Sequence, residues 1–307
     1  MEDEHLARTS PSAVRIEAVT PRNRDAFVEW AIAHGAEHDD SYTQELDLDM
    51  FPTPGEIAAL AVSDNRTVGV ASLMVDGFGE SGLGRFRILH AARFEAYAAL
   101  LEWVLARVPA AVRHVYLFLP DGSALGETLE QLGFVPTRYA VILERAPAPV
   151  PSVVAPPTGE IRRAEAEDAQ AWAKVVNSAF AHEPGHYPMT AERAAEVLGD
   201  PRAIASFVAW CGSEPVGVST VWRDDEEQGS AEVVTLGVVP SAQGQGFGRA
   251  LLRRALAAAA EAGWPTASLS TGSANKPALT LYTSESFRVV DKRVCWGLDV
   301  APRAEAG

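Results

Sequence analysis

One stretch in the C-terminal half constrains the fold of this chain more than any other. An apolar strand pattern ends at Pro240, glycines stand at positions 244, 246 and 248, and a helical pattern runs from Phe247 to Ala262. Because glycine has no Cβ, successive backbone N–H groups can converge there, and the helix start adds unpaired donors and the positive end of its dipole. The stretch therefore predicts an anion-binding nest suited to a pyrophosphate.

Two common phosphate loops do not fit this stretch. A P-loop requires Gly-Lys-Ser/Thr, and no such sequence follows the glycines. A Rossmann dinucleotide site requires an acidic residue at the end of the next strand, about 20 residues on. That strand is predicted over Ala267–Thr271 and ends in Ser-Leu-Ser-Thr, without a carboxylate.

The pattern resembles the loop of the GNAT acetyltransferase superfamily. In that family Gln/Arg-x-x-Gly-x-Gly/Ala follows a strand reading Leu-x-Val-x-Pro, and residues 236–248 match both parts. A second family segment, Asn-x-x-Ala-x-x-Leu-Tyr, resembles residues 275–282 within a helix predicted over Lys276–Ser284. The family's following Gly-Phe is Ser286-Phe287 here, so the glycine is replaced.

The resemblance implies acetyl-CoA as co-substrate and no metal. Backbone amides of the loop would bind the pyrophosphate, while the end of the strand would pair with the pantetheine arm and direct an N–H at the thioester carbonyl, where negative charge develops. The residues implied in binding are Leu236, Gly237, Val238, Gln243, Gly244, Gln245, Gly246, Phe247, Gly248, Arg249 and Asn275. For Arg253 and Arg254, cofactor contact and an ordinary solvated helix face both remain open.

Proton transfer requires a base for the amine and an acid for the leaving thiolate. Tyr282 falls on the family's position for the general acid. Glu232 is the candidate base, since it lies on the strand leading to the loop, four residues before Leu236 and therefore expected on the same sheet face. The mycothiol synthases, a tandem group in the superfamily, are similar in having a glutamate eight residues before the strand-end proline, as Glu232 stands to Pro240; their acceptor is not carried over.

The chain also shows a weak internal repeat. Val68-Gly-Val recurs at Val216, Gly122-Ser-Ala at Gly272 and the Phe134 segment at Phe287, with offsets of 148, 150 and 153 residues. Between the halves, residues 146–158 are rich in proline and uncharged, as in a semi-rigid linker. We therefore predict an α+β fold of two tandem GNAT-like domains, each a mixed, mostly antiparallel sheet flanked by helices: a degenerate one at 14–145 and a catalytic one at 159–300, with tails at 1–13 and 301–307.

The first half lacks the features of an active site. Its counterpart of the loop is Ile88–Phe94, which contains no glycine, and at an offset of 150 the counterparts of Asn275 and Tyr282 are Leu125 and Leu132. Bulky side chains would obstruct the approach of a pyrophosphate. We expect one cofactor for each chain.

Composition limits the partners. The formal net charge of −15 argues against nucleic acid and anionic membranes, and two isolated cysteines with no N-terminal apolar run favour the cytoplasm. The predicted acceptor is a small-molecule amine, and the chain a monomer or homodimer. His182 and His186 could contact substrate, although histidines in a loop are more often surface residues, and His34 with His38 lacks a third metal ligand.

A function of another class remains open, namely a non-catalytic acyl-CoA sensor or interaction protein. Such a protein needs the glycine loop but neither proton carrier. The presence of both Glu232 and Tyr282 favours the enzyme.

Overall fold

The computed structural model describes residues 13–34, 52, 55–75, 82–146, 149, 152, 159–183, 188–224 and 230–301. Most of the two expected tails and most of the proline-rich stretch lie outside these residues.

The chain divides into two compact units that differ from the boundaries expected at the proline-rich stretch. Unit 1 consists of residues 1–138 and 293–307, and unit 2 of residues 139–292. Two long strands explain the difference, because each passes from one unit to the other: β6 (Val135–Arg145) and β12 (Arg288–Asp299). The division therefore falls inside these strands and not in the proline-rich stretch.

Unit 1 is a six-stranded sheet with helices on both faces. The strands lie in the order β1-β2-β3-β4-β5-β12, and all neighbours are antiparallel except β4 and β5. One apolar core packs under α2 and a second, smaller one under α1. The elements are β1 Arg15–Ala18, α1 Arg24–His34, β2 Ile57–Ser63, β3 Arg66–Met74, β4 Leu83–Ala91, α2 Phe94–Leu105, β5 His114–Pro120 and α3 Leu125–Gln131.

Unit 2 repeats this architecture. Its strands lie in the order β7-β8-β9-β10-β11-β6, again antiparallel except for the parallel pair β10 and β11. The main core packs under α6 and α7, and a second core packs under α4 and α5 on the opposite face. The elements are β7 Glu160–Arg163, α4 Ala169–Ala179, α5 Ala191–Leu198, β8 Ala203–Cys211, β9 Glu214–Arg223, β10 Ser230–Val238, α6 Phe247–Glu261, β11 Thr266–Gly272 and α7 Lys276–Ser284.

The predicted fold class is confirmed. Each unit is a mixed, mostly antiparallel sheet flanked by helices, and helix α6 ends shortly before Gly263, which has φ +91°. Strand β2 reads as an unbroken apolar run, and α5 is only eight residues long, so neither shows a clear periodicity.

Helices α3 and α7 end in the same way, and this explains the glycine that the family pattern places before Phe287. The N–H of Phe134 bonds the carbonyl of Leu129 at 2.9 Å, and the N–H of Phe287 bonds the carbonyl of Tyr282 at 3.0 Å. The residue before each phenylalanine is left-handed: Gly133 has φ +89° and Ser286 has φ +71°. The hydrogen bonds make Leu129 the counterpart of Tyr282, so the expected counterpart Leu132 is wrong by three residues. Two of the three arise because α7 has nine residues and α3 has seven.

Ser286 is held in a conformation that disfavours any residue with a Cβ. Replacing it with glycine is expected to raise the free energy of unfolding by about 1 kcal/mol, since a left-handed L-residue costs roughly that amount. The matched control is Gly133→Ser at the equivalent helix end, which should lower the free energy of unfolding by a similar amount. Urea unfolding measures both, and a Ser286→Gly protein less stable than the parent contradicts the strain at this position.

Candidate active site

Strands β10 and β11 separate from each other partway along unit 2. Their parallel pairing covers three residues only, from Ser230 opposite Thr266 to Glu232 opposite Ser268. Strand β10 continues to Val238 while paired on its other edge with β9. Alternate residues of a strand direct their backbone groups to opposite edges. The second half of β10 therefore presents backbone donors and acceptors to the gap beside β11, including the predicted segment 236–238.

The predicted loop follows β10 directly and leads into helix α6. Gly244 and Gly246 adopt φ values of +74° and +89°, and a Cβ built on either would meet no atom within 4 Å. Gly246 is the N-cap of α6, and the first helical bond runs from the N–H of Ala250 to its carbonyl at 3.1 Å. In the described part of the chain, the N–H groups of residues 244–249 donate no hydrogen bond. The loop is thus an open set of amide donors at a helix start, the arrangement that binds phosphate.

Several predicted side chains stabilise the loop itself. The side-chain amide of Gln243 donates to the Val238 carbonyl at 3.1 Å, and that of Gln245 donates to the Ser241 carbonyl at 2.9 Å. The side chain of Asn275 accepts from the N–H of Ala278 at 3.2 Å, so it caps helix α7. Phe247 is buried in the core. These side chains hold the backbone in place, which leaves the amides as the groups facing a ligand.

Gly237 permits a close approach between β10 and helix α4. A Cβ at this position would lie 2.8 Å from the Phe180 ring and 3.1 Å from Ala179. Any larger residue would push the end of α4 away from the strand. Gly237 therefore has a packing role that the sequence pattern alone does not reveal.

The position of Glu232 differs from the sequence expectation in one respect. A β-bulge at Val234 places two residues of β10 opposite one of β9, because Val233 pairs with Val221 and Thr235 with Thr220. The extra residue reverses the alternation of faces. Glu232 consequently shares a face with Gly237 and helix α4, and not with Leu236. Its side chain is exposed at the last paired position before β10 and β11 part.

Tyr282 lies on the other side of the sheet. It is 6% exposed, belongs to the core under α6 and α7, and its ring centre is 6.0 Å from that of Phe287. Burial raises the pKa of its hydroxyl to about 12. The phenol therefore keeps its proton throughout the neutral range, which a proton donor requires.

A buried carboxylate that the sequence analysis did not identify organises the arginines of α6. The side chain of Glu285 is 1% exposed; both oxygens accept from Arg253 at 2.9 Å, and Arg249 lies at 3.2 Å. Its backbone carbonyl also accepts from buried Arg145 at 3.1 Å. The i, i+4 spacing of Arg249 and Arg253 was the available signal. Arg249 is the half-exposed member of this network and Arg254 is exposed.

The histidine sites proposed from sequence carry no metal-binding geometry in the described residues. His182 is exposed, and His186 and His38 lie outside the described residues. The His34 ring stacks on the ring of buried His90 at 4.1 Å. No group of three potential ligands occurs in the described ranges. Within the same ranges, no helix combines the length and apolar character needed to span a membrane.

Unit 1 has no room for an equivalent loop. Only Ala92 and Arg93 separate β4 from α2, whereas residues 239–246 separate β10 from α6. The segment Ile88–Phe94 is therefore the end of strand β4 followed at once by helix α2. This segment lacks glycines, and it also lacks the strand-to-helix loop in which they would lie.

The comparisons with known proteins define the class. Residues 168–287 match the model of the Acetyltransferase (GNAT) family. The chain therefore contains an acetyltransferase domain of the GNAT family, in the unit that carries the loop.

The relatives by sequence share one name. The chain is 33% identical over 180 residues to mycothiol acetyltransferase of Catenulispora acidiphila, covering 55% of each chain. It is 34% identical over 210 residues to mycothiol acetyltransferase of Streptomyces griseus, covering 67% of this chain and 64% of the relative. The similarity to these curated relatives thus spans between about half and two thirds of their length.

Solved structures share the fold over nearly the whole chain. A GCN5-related N-acetyltransferase from Sphaerobacter thermophilus has a TM-score of 0.68 at 19% identity, covering 96% of this chain and 98% of its own. A tandem GNAT protein from the clavulanic acid biosynthesis pathway has a TM-score of 0.66 at 16% identity, covering 95% and 100%. At these identities the likeness concerns the fold alone.

Proposed function

We propose that this chain is an acetyl-CoA-dependent N-acetyltransferase that moves an acetyl group to the primary amine of a small molecule by direct attack. The observation that carries the proposal is the loop 243–249, where free amide donors and a helix start meet at the end of a strand that has parted from its neighbour. The GNAT family match over the same residues supports it.

The geometry of unit 2 suits acetyl-CoA in two places. The open space over Gly244 and Gly246 fits a pyrophosphate against the backbone amides. The unpaired edge of β10 at residues 236–238 fits an extended pantetheine arm, which bonds to a strand as another strand would. An N–H at this edge would stabilise the oxyanion that forms during attack. Arg249 lies in the first turn of helix α6 and places a half-exposed positive charge beside the loop.

Two residues are proposed to move protons. An amine attacks only when neutral, and Glu232, on the face of α4, would accept a proton from it directly or through water. Tyr282, whose raised pKa keeps its hydroxyl protonated, would supply a proton to the departing thiolate. The two residues lie on opposite faces of the sheet. This arrangement suits an acceptor amine near Glu232 and a leaving thiolate near Tyr282, on either side of the gap between β10 and β11.

The relatives' name supplies the first acceptor to test, the deacetylated form of mycothiol. The acceptor would enter on the α4 face, beside Glu232 and Phe180. The loops expected to set its identity, Ala181–Thr190 and Arg223–Ser230, lie partly outside the described residues. We also propose a cytoplasmic location, since the acidic chain has only the two free cysteines Cys211 and Cys295.

Release of CoA thiol measures the activity. Purified protein with acetyl-CoA is tested against deacetylated mycothiol and a panel of small amines, while calorimetry counts the bound acetyl-CoA. Turnover with one bound acetyl-CoA for each chain is the expected result. Binding without turnover on any acceptor would favour the acyl-CoA sensor, and no binding would contradict both functions.

The cofactor loop is tested by filling its open space. Gly246→Val is expected to raise the Kd for acetyl-CoA at least about tenfold, because a branched side chain at this left-handed position occupies the phosphate space and strains the N-cap. Isothermal titration calorimetry measures the change.

Helix α6 offers a matched control at its other end. Gly263 has φ +91° and equally open surroundings, so Gly263→Val introduces similar backbone strain away from the loop. It should cost similar stability and leave the Kd unchanged. Equal Kd values for the two variants would show that the loop does not bind the cofactor.

A further inference from the structure

A cavity opens in unit 1 beside the last turns of helix α2. Its volume is about 580 Å³, which lies within the range of small-molecule sites. The end of α3, the segment between α2 and β5, and the two residues after β12 complete its walls. Most of the lining is apolar and includes Ala98, Leu101, Leu105, Val108, Val112 and Leu132. The cavity is therefore large and apolar enough to hold the body of a small organic molecule.

The corresponding place in unit 2 is occupied by the buried ion network. The matching hydrogen bonds at the ends of α3 and α7 make Leu132 the counterpart of Glu285. The buried positions of α2 recur in α6 at an offset of 155 residues, so Ala98 is the counterpart of Arg253. Where unit 2 pairs a carboxylate with a guanidinium at 2.9 Å, unit 1 has a leucine and an alanine. The short side chain of the alanine leaves open a space that the arginine occupies in unit 2.

Two charged residues of opposite sign line this apolar cavity. Glu102 belongs to α2, and Arg113 directly precedes β5. Both residues are exposed, whereas Leu101, Val108 and Val112 are buried. The charges therefore lie at the mouth of the cavity, and the apolar side chains form its floor.

Neither charge is neutralised within the part of the chain that the structure describes. Glu102 and Arg113 form no ion pair there, either with each other or with another residue. One guanidinium nitrogen of Arg113 donates to the carbonyl of Ala110, and the other N–H groups of the fork remain for a ligand. Two opposite charges thus lie at one cavity mouth, and each can bind a group of a ligand.

A ligand that suits this arrangement carries an apolar body and both charges. A carboxylate matches the planar fork of a guanidinium, and an ammonium donates to a carboxylate through its three N–H groups. An apolar carboxylic acid without an ammonium would leave Glu102 unpaired. An apolar amine without a carboxylate would leave Arg113 unpaired. An apolar α-amino acid satisfies both residues and places its side chain in the cavity.

We propose that unit 1 binds a free apolar α-amino acid in this cavity, with its carboxylate on Arg113, its ammonium on Glu102 and its side chain against the buried lining. The site is independent of acetyl transfer, because it uses residues of unit 1 only. It also lies at the end of α2, whereas the counterpart of the cofactor loop lies at the start of that helix.

The test is calorimetry on the full chain with L-phenylalanine and, separately, L-leucine. At least one of them is expected to bind saturably to one site. Analogues of that amino acid which lack either the ammonium or the carboxylate should each have a Kd at least about tenfold higher, because each loses one charge-assisted contact. Glycine, which has both charges and no side chain, should bind more weakly still.

Three variants test the assignment of the groups. Arg113→Gln and Glu102→Gln should each raise the Kd of the amino acid at least about tenfold. Arg113→Gln should leave the Kd of the analogue without a carboxylate unchanged, and Glu102→Gln that of the analogue without an ammonium. Ala98→Phe should abolish binding by filling the cavity, and the arginine at the equivalent position of α6 shows that the fold accepts a long side chain there.

A control arginine lies near the cavity without lining it. Arg107 follows α2 directly, is exposed, and has its Cζ 3.7 Å from the ring centre of Trp103. Arg107→Gln should leave the Kd unchanged, and circular dichroism verifies that each variant is folded. The proposal is overturned if neither amino acid binds saturably, if an analogue with one charge binds as tightly as the amino acid, or if folded Arg113→Gln or Glu102→Gln protein binds as tightly as the parent.

Discussion

Glu232→Gln is expected to lower kcat by about 100-fold to 10,000-fold, the usual contribution of a positioned general base. Glutamine keeps the shape and exposure of the side chain but cannot accept the proton of the amine. The KM for acetyl-CoA should remain unchanged, because Glu232 lies at the paired end of β10 and the loop lies beyond its other end. Thiol release at saturating acceptor measures kcat.

Tyr282→Phe provides the second arm of this prediction. Phenylalanine keeps the ring in the core beside Phe287 and removes only the hydroxyl, so kcat should fall about 100-fold with little change in stability. Glu160→Gln, an exposed carboxylate on edge strand β7, is the control and should leave kcat unchanged. If either Glu232→Gln or Tyr282→Phe turns over within threefold of the parent, that residue is not a proton carrier.

Glu285→Ala is expected to lower the free energy of unfolding by about 3–5 kcal/mol, a large part of the stability of a typical domain. Among the described residues, Glu285 is the only carboxylate that pairs with Arg253, whose side chain is 20% exposed. The substitution removes it and opens a cavity at the end of α7. Interactions with Glu285 raise the pKa of Arg253. A guanidinium is protonated at neutral pH even without such a partner, so Arg253 stays charged when Glu285 is lost.

Two further variants distinguish this network from ordinary ion pairs. Glu285→Gln keeps the volume and some hydrogen bonds, so its loss should be smaller. Glu196→Ala breaks the pair with Arg193, whose side chains are 66% and 68% exposed, and should cost less than about 1 kcal/mol. Denaturant unfolding compares the three, and a Glu285→Ala loss as small as that of Glu196→Ala would contradict a stabilising role for the network.

The sequence predicted the parts of unit 2 that depend on local patterns. The loop at 243–249 and helix α7 from Lys276 to Ser284 depend on glycine, capping and periodicity, which are local properties. The predicted sheet face of Glu232 was wrong, because the bulge at Val234 has no recognisable signature in the sequence Val233-Val234. Glu285 was missed for a related reason: its burial depends on arginines of α6 far away in the chain.

The exchange of strands between the two units also could not be predicted from local sequence patterns. A proline-rich stretch is a reasonable place for a boundary, yet the division falls at residues 138 and 292, within β6 and β12. Local residue patterns within a long strand do not indicate where its pairing partner changes. The counterpart of Tyr282 shows the same limit, since only the hydrogen bond of Phe134 to Leu129 fixes the alignment of α3 with α7.

The two exchanged strands also impose an order on folding during synthesis. Unit 2 is continuous from residue 139 to 292, whereas unit 1 takes its sixth strand from residues 293–299. On the ribosome, β5 emerges early, but the strand that covers its open edge emerges after the whole of unit 2. The half that is made first is therefore completed last. A nascent chain carries the exposed edge of β5 in the meantime, a surface on which folding chaperones act and aggregation begins.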